Sequence, residues 1–330
     1  MVEHAASRRL RAVGALGAIG GAALFVWAIR SAGTTAVADG VRRIGPGILL
    51  IWLLGGIRGL VRAAAWRLCL EPRYRPGLAT MFSAYVAGDA IGNVTPFGVF
   101  LSEPSKVFLL RRRIDIPAAT AALAVENLFY GGAVTVMLAA GSIAVTAFAM
   151  PQPVRIASLT IVASAVALAG AVWIAAARPR LIGSPFEALI AMPIVDRHFR
   201  RWLPGLRETG ERIREFRSRS RKTVLPLVIV EASYQLLAVA EIWYAVGLIT
   251  GVPPDLLTAF VLEYVNRTIT VAFQFVPMWL GVDEAGTSLA TSILGLGPAA
   301  GVTLALARKA RVAVWTAIGI GLIVRRSSPW

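Results

Sequence analysis

One stretch is written twice in this chain, and the repetition restricts the fold more than any other feature. GNVTPFGVFLSEPSK occupies 92–106 and FQFVPMWLGVDEAG occupies 273–286. Asn93, Pro96 and Glu103 of the first copy are matched by Gln274, Pro277 and Glu284 of the second, each 181 residues later. Ser102 and Asp283 fall at the same offset, directly before the two glutamates, and both are residue types that favour a helix N-cap. Each copy interrupts a long apolar run with Pro, Gly and a carboxylate. A carboxylate in such surroundings is costly and needs a reason.

The surroundings decide the class. Hydrophobic residues make up 57% of the chain and charged residues 16%, with a mean hydropathy of +0.68. That is the composition of a helical integral membrane protein. A net charge of +16 would suggest nucleic acid in a soluble chain, but the arginines cluster at the ends of apolar runs, which is the positive-inside pattern. No nucleic-acid partner is expected. One cysteine, Cys69, and two histidines, His4 and His198, offer neither a disulfide framework nor a Cys/His metal cluster.

Along the chain, Arg8, Arg9 and Arg11 precede an apolar run from Ala12 to Ile29, read as an uncleaved first span with its N-terminus inside. A second run, Ile44 to about Leu68, carries Arg58 and Arg62 one turn apart. They are read as an anchoring face able to snorkel to the interface, or as ligand-binding groups. Leu78 to Leu110 is too long for one straight span, and Asn93, Pro96, Gly98 and Pro104 break it into two half-helices with a loop at depth. Spans follow at Pro117 to Phe148, with Glu126 and Asn127, and at Ile156 to Ala177. The 178–222 stretch holds twelve basic and five acidic residues with an apolar seam of Leu206, Ile213 and Phe216. It is either an amphipathic cytoplasmic connector on an anionic membrane surface or a solvated one. Val224 to Thr250 carries Glu231, Tyr234, Gln235 and Glu241. Leu256 to Leu296 is again overlong and broken at Pro277 and Gly281, and Pro298 to Val324 carries Arg308, Lys309 and Arg311.

Counting crossings places the two broken segments on entries from opposite faces. The units, 44–140 and 225–321, are therefore expected to form an inverted-topology repeat, the architecture of proteins that open one central site to each side in turn. The fold expected is all-α and polytopic, with about six full spans plus two re-entrant hairpins, or about eight spans. Both termini are expected in the cytoplasm, in the inner membrane. Asn93 and Gln274 are expected to satisfy loop backbone groups freed by the prolines.

The N-x-x-P loop followed by an acidic residue and a basic one (Asn93, Pro96, Glu103, Lys106), with Glu126 in the next span, resembles the lysylphosphatidylglycerol synthase/flippase transmembrane region. The resemblance covers about 44 to 324 and implies a membrane domain that moves a lipid head group between leaflets, with a lipid-biosynthesis enzyme as a possible partner. The soluble aminoacyl-transferase domain of bifunctional members is not in this sequence, so synthase activity is not implied. Two departures stand out: Lys106 replaces the usual Arg, and the second loop reads PMWLGVDE where a Gly-rich turn is common.

From the residues alone, a half-helix N-terminus aimed into the membrane favours an anion such as a lipid phosphate. Glu103 and Glu284 either satisfy those helix ends, bind a head-group amine, or exchange a proton. Lys106, Arg267, Arg308, Lys309 and Arg311 are the candidates for the phosphate. Arg267 is the hardest to dismiss as an end anchor, because it lies mid-segment. The lipid is therefore expected to carry an anionic or zwitterionic head group. No cofactor is expected, and no nucleotide loop, H-E-x-x-H or G-x-S-x-G motif occurs. A transporter is favoured over an enzyme; the alternative is a membrane-embedded transferase with Glu103 or Glu284 as base.

Overall fold

Without water, a backbone satisfies its own N–H and C=O groups, so apolar runs of this length fold as helices. The computed structural model describes residues 21–95, 98–145, 221–274 and 276–327, with isolated positions between 152 and 170. The 178–220 part of the basic connector, and with it the Leu206, Ile213 and Phe216 seam, lies outside the described residues, as does Pro96. Among the described residues there are helices and turns and no strand. The protein is an all-α membrane protein.

The helices are α1 (Gly21–Ala32), α2 (Thr34–Ile44), α3 (Ile48–Cys69), α4 (Leu78–Val94), α5 (Gly98–Leu110), α6 (Ile116–Val145), α7 (Arg221–Thr250), α8 (Leu256–Ala272), α9 (Val282–Ile293) and α10 (Pro298–Ser327). Three stretches, Thr34–Cys69, Ile116–Val145 and Val224–Thr250, are long and apolar enough to cross a membrane. In α10, Arg308, Lys309 and Arg311 interrupt an otherwise suitable run. The segment 34–44, which no apolar run predicted, is an amphipathic helix that buries Val37, Gly40 and Ile44 and packs on α7 and α10.

Both overlong segments are broken. The first stops at Val94 and restarts at Gly98. The second stops at Ala272, passes through a 3₁₀ turn at Pro277–Trp279, and restarts at Val282. Pro104 does not break anything: it sits inside α5. Ser102 and Asp283 are not N-caps either. Ser102 lies in the body of α5, and Gly281, at φ 83°, caps α9. The positive φ favours glycine there, and Asp283 is the second residue of the helix, within its first turn.

The order α3–α6 recurs as α7–α10, with equivalent helices close to the 181-residue offset of the loops. Packing recurs with it. α4 packs on α3 and α5, and α8 on α7 and α9; α6 packs on α3 and α5, and α10 on α7 and α9. Across the divide, α3 meets α7, α4 meets α10 and α6 meets α8. Exchanging the two sets of four helices leaves every one of these pairs in place. Each set has its own apolar core: one around Trp66, Met81, Leu110 and Leu123, the other around Ile242, Leu262 and Leu304. Outward faces remain apolar, as at Leu53, Val136, Ile143 and Leu236. On a soluble protein such a surface would drive association; in lipid it is the solvated face.

Candidate polar centre between the two helix sets

Where the two cores meet, the sequence places ionisable residues that the helices bury. Arg58 and Arg62 lie on α3 at i and i+4, but neither snorkels: both are buried. Arg58 donates to Glu241 of α7 at 2.8 Å and to the Tyr234 hydroxyl at 3.2 Å. Arg311 of α10 meets the other oxygen of Glu241 at 2.8 Å, so one carboxylate ties α3 to α10. Arg62 lies 2.6 Å from Glu126 of α6 and 3.6 Å from Glu231 of α7, and donates to Asn127 at 3.1 Å. Its guanidinium stacks 3.8 Å above the Tyr130 ring.

From Asn127 the network continues into the first broken segment. Asn127 donates to Glu103 at 2.8 Å. Lys106 donates to Glu103 at 2.8 Å and pairs with Asp89 of α4 at 2.8 Å, while Ser102 donates to Asp89 at 3.1 Å. Glu103 is thus no helix cap. It is a network carboxylate whose side chain keeps 28% exposure, and Asp89 keeps 38%. Of the carboxylates that line the cavity described below, those two are the most exposed.

The second broken segment carries the related arrangement with its charges exchanged. Arg308 of α10 stands 181 residues after Asn127 and donates to Asp283 and to Thr287, both at 2.6 Å. Lys309 pairs with Glu284 at 2.9 Å. Glu284 also accepts from the Gly281 backbone N–H at 2.7 Å, so here the capping reading is the right one. In the first set the cation rides on the half-helix and the amide on the long helix. In the second the cations ride on the long helix and a threonine on the half-helix.

Arg267 of α8 links the two helix sets through Tyr130 of α6. It donates to the Tyr130 hydroxyl and to Glu263, both at 2.8 Å, and to Gln235 at 3.4 Å. Asn93 does not serve its own loop but donates to Thr316 of α10 at 3.0 Å. Gln274 stands exposed past the end of α8, and Pro277 opens the 3₁₀ turn. Met278 and Trp279 in that turn both adopt φ 51°, a left-handed conformation in the place where a Gly-rich turn was the resemblance's expectation. Each costs of order 1–2 kcal/mol relative to glycine.

A cavity of about 680 Å³ opens between the two sets. Seven cations line it (Arg58, Arg62, Lys106, Arg267, Arg308, Lys309 and Arg311) against three carboxylates, Asp89, Glu103 and Asp283. Glu126, Glu231, Glu241, Glu263 and Glu284 are buried behind the lining. The counter-charges are therefore placed so that the positive ends of the pairs face the open space. The model of the lysylphosphatidylglycerol synthase transmembrane region matches residues 12–321. The chain belongs to that family. Membership of this lysylphosphatidylglycerol synthase transmembrane family makes the polar centre part of a lipid-associated membrane domain. Comparison with curated proteins and with solved structures gives no match.

Most candidates named from the sequence meet here: Asn93, Glu103, Lys106, Arg267, Gln274, Arg308, Lys309 and Arg311 line the cavity, with Glu126 and Glu284 buried behind it. Asp89, Tyr130, Glu263 and Asn266 escaped notice. Glu263 and Asp89 carried a usable signal, since each is a charge within an apolar run. Tyr130 carried none, because an aromatic in a span is ordinary.

Proposed function

We propose that this protein moves the head group of an anionic or zwitterionic membrane lipid between the leaflets of the cytoplasmic membrane. One observation carries the reading: a cavity of about 680 Å³, of head-group size, lined by seven cations and three carboxylates inside a shell of outward apolar helices. Arginines held by buried acids are preorganised donors for a phosphate. The recurrence of α3–α6 as α7–α10, with its packing, supports an inverted repeat whose two sets rock about the shared cavity. Orientation follows the arginine distribution, with both termini and the 178–222 connector in the cytoplasm.

A transferase would need a carboxylate free to take a proton from its substrate. The two accessible acids of the first set, Asp89 and Glu103, are both committed to Lys106, which weighs against that reading. The test is leaflet accessibility of labelled phospholipids and polyprenyl-linked lipids in proteoliposomes, with product analysis alongside. Replacing Arg267 or Arg311 by Gln is expected to slow translocation at least tenfold. Covalently altered lipid without translocation would overturn the proposal in favour of transfer chemistry.

A further inference from the structure

Glu126 and Glu231 share one cation, Arg62. Both lie behind the cavity wall, 1% and 2% exposed, and both reach the same nitrogen of Arg62, Nη1, at 2.6 and 3.6 Å. Among the described residues, Arg62 is the one group that reaches their four carboxylate oxygens, and no other donor is directed at them. An ionised carboxylate normally draws two or more donors when buried, and removal from water without them is expensive.

Among the described residues, no other cation pairs with them. On α5, Lys106 is engaged by Glu103 and by Asp89 of α4. On α8, Arg267 is engaged by Glu263, and on α3 and α10, Arg58 and Arg311 both close on Glu241. From α2, Arg43 reaches only the Ile249 carbonyl at the far end of α7. The remaining titratable neighbours are phenols: Tyr85 of α4, Tyr130 of α6 and Tyr234 of α7. Two ionised glutamates against one guanidinium would leave a net negative charge in a dry layer, beside the cavity meant for an anion. One proton shared by the pair removes it.

We infer that Glu126 and Glu231 form a proton site, holding one exchangeable proton across Arg62, and that its occupancy is coupled to the head group in the cavity. The inference rests on the lipid-transport reading for the coupling, though not for the proton. Water in the cavity delivers a proton to one carboxylate, giving a neutral acid and leaving the other glutamate paired with Arg62. The local charge rises from −1 to zero, and the anionic head group enters at lower cost. Loss of the proton on the other side restores the negative charge and expels it. Proton and anion therefore favour each other's binding, which is linkage of the kind that drives a symport.

Infrared difference spectroscopy of the whole protein in liposomes reads the proton directly. Wild type at neutral pH is expected to show a carboxylic acid carbonyl band that shifts when glutamate is ¹³C-labelled. Glu126→Gln and Glu231→Gln should each abolish it, since one carboxylate on one guanidinium stays ionised. In the same liposomes, an imposed pH gradient should accelerate wild-type lipid translocation severalfold and leave both variants unaffected. A labelled wild type with no protonated glutamate overturns the proton site whether or not the variants fold, as does a band that survives both substitutions. Translocation without the band leaves the transport reading standing alone. The band without translocation under any gradient leaves the proton site and removes the transport reading.

Discussion

At the residue scale, two glutamates with the same place in the sequence repeat have different work. Glu103 faces the cavity and is held by Lys106 and Asn127. Glu284 is fully buried, holding the Gly281 N–H and Lys309. Replacing Glu103 by Gln leaves Lys106 its second partner, Asp89, so thermal stability should change little while translocation falls at least tenfold. Replacing Glu284 by Gln keeps an acceptor for Gly281 but points an amide at Lys309, and the loss should be mainly of stability, about 1–3 kcal/mol. Thermal melts and translocation assays on both variants check this; equal losses of activity at unchanged melting temperature would contradict it. The sequence expectation that both glutamates act alike came from their matched spacing. Spacing places a residue on a helix but does not choose the helix that faces it.

At the element scale, each half-helix is fitted against its partner by the absence of side chains. A Cβ on Gly88 of α4 would lie 3.1 Å from the Lys106 backbone nitrogen and from the Ser102 carbonyl oxygen, and closer still to the Lys106 side-chain Cγ. Small residues let helix backbones approach in lipid, where burial from water gives no driving force between helices. Gly88→Val should therefore push α5 outward, cost about 1–3 kcal/mol, and detach Lys106 from Asp89. A melt shifted downward together with lost translocation is the expected result, and an unperturbed melt would contradict the packing. The break itself was legible in the sequence, because proline and glycine oppose a continuous helix. Which proline broke the chain was not: Pro104 is carried inside α5 as its seventh residue, where its missing N–H costs one i→i−4 hydrogen bond without ending the helix.

At the scale of the molecule, the two helix sets meet by helix packing, α3 on α7, α4 on α10 and α6 on α8, and by polar contacts beside the cavity. Asn93 of α4 donates to Thr316 of α10, linking one set to the other. If the sets rock against each other, a covalent tie at this point should stop them. With Cys69 replaced, Asn93→Cys combined with Thr316→Cys should cross-link on oxidation and lose translocation, and a reductant should restore it. Full translocation by the cross-linked protein would contradict a rocking mechanism.

The sequence by itself determined the all-α membrane class, the long apolar helices and which two segments break, because apolar run length, proline and glycine act locally along the chain. It also singled out most of the polar centre, since a charge within an apolar run is expensive wherever it falls. Tertiary structure alone decided the partners. Arg58 and Arg62 read as interface anchors until α6, α7 and α10 brought Glu126, Glu231, Glu241 and Arg311 against α3. Pairing in a low-dielectric layer depends on separations of a few ångströms between residues up to 183 positions apart in the chain. That distance is set by how helices pack, and no single run of residues contains it.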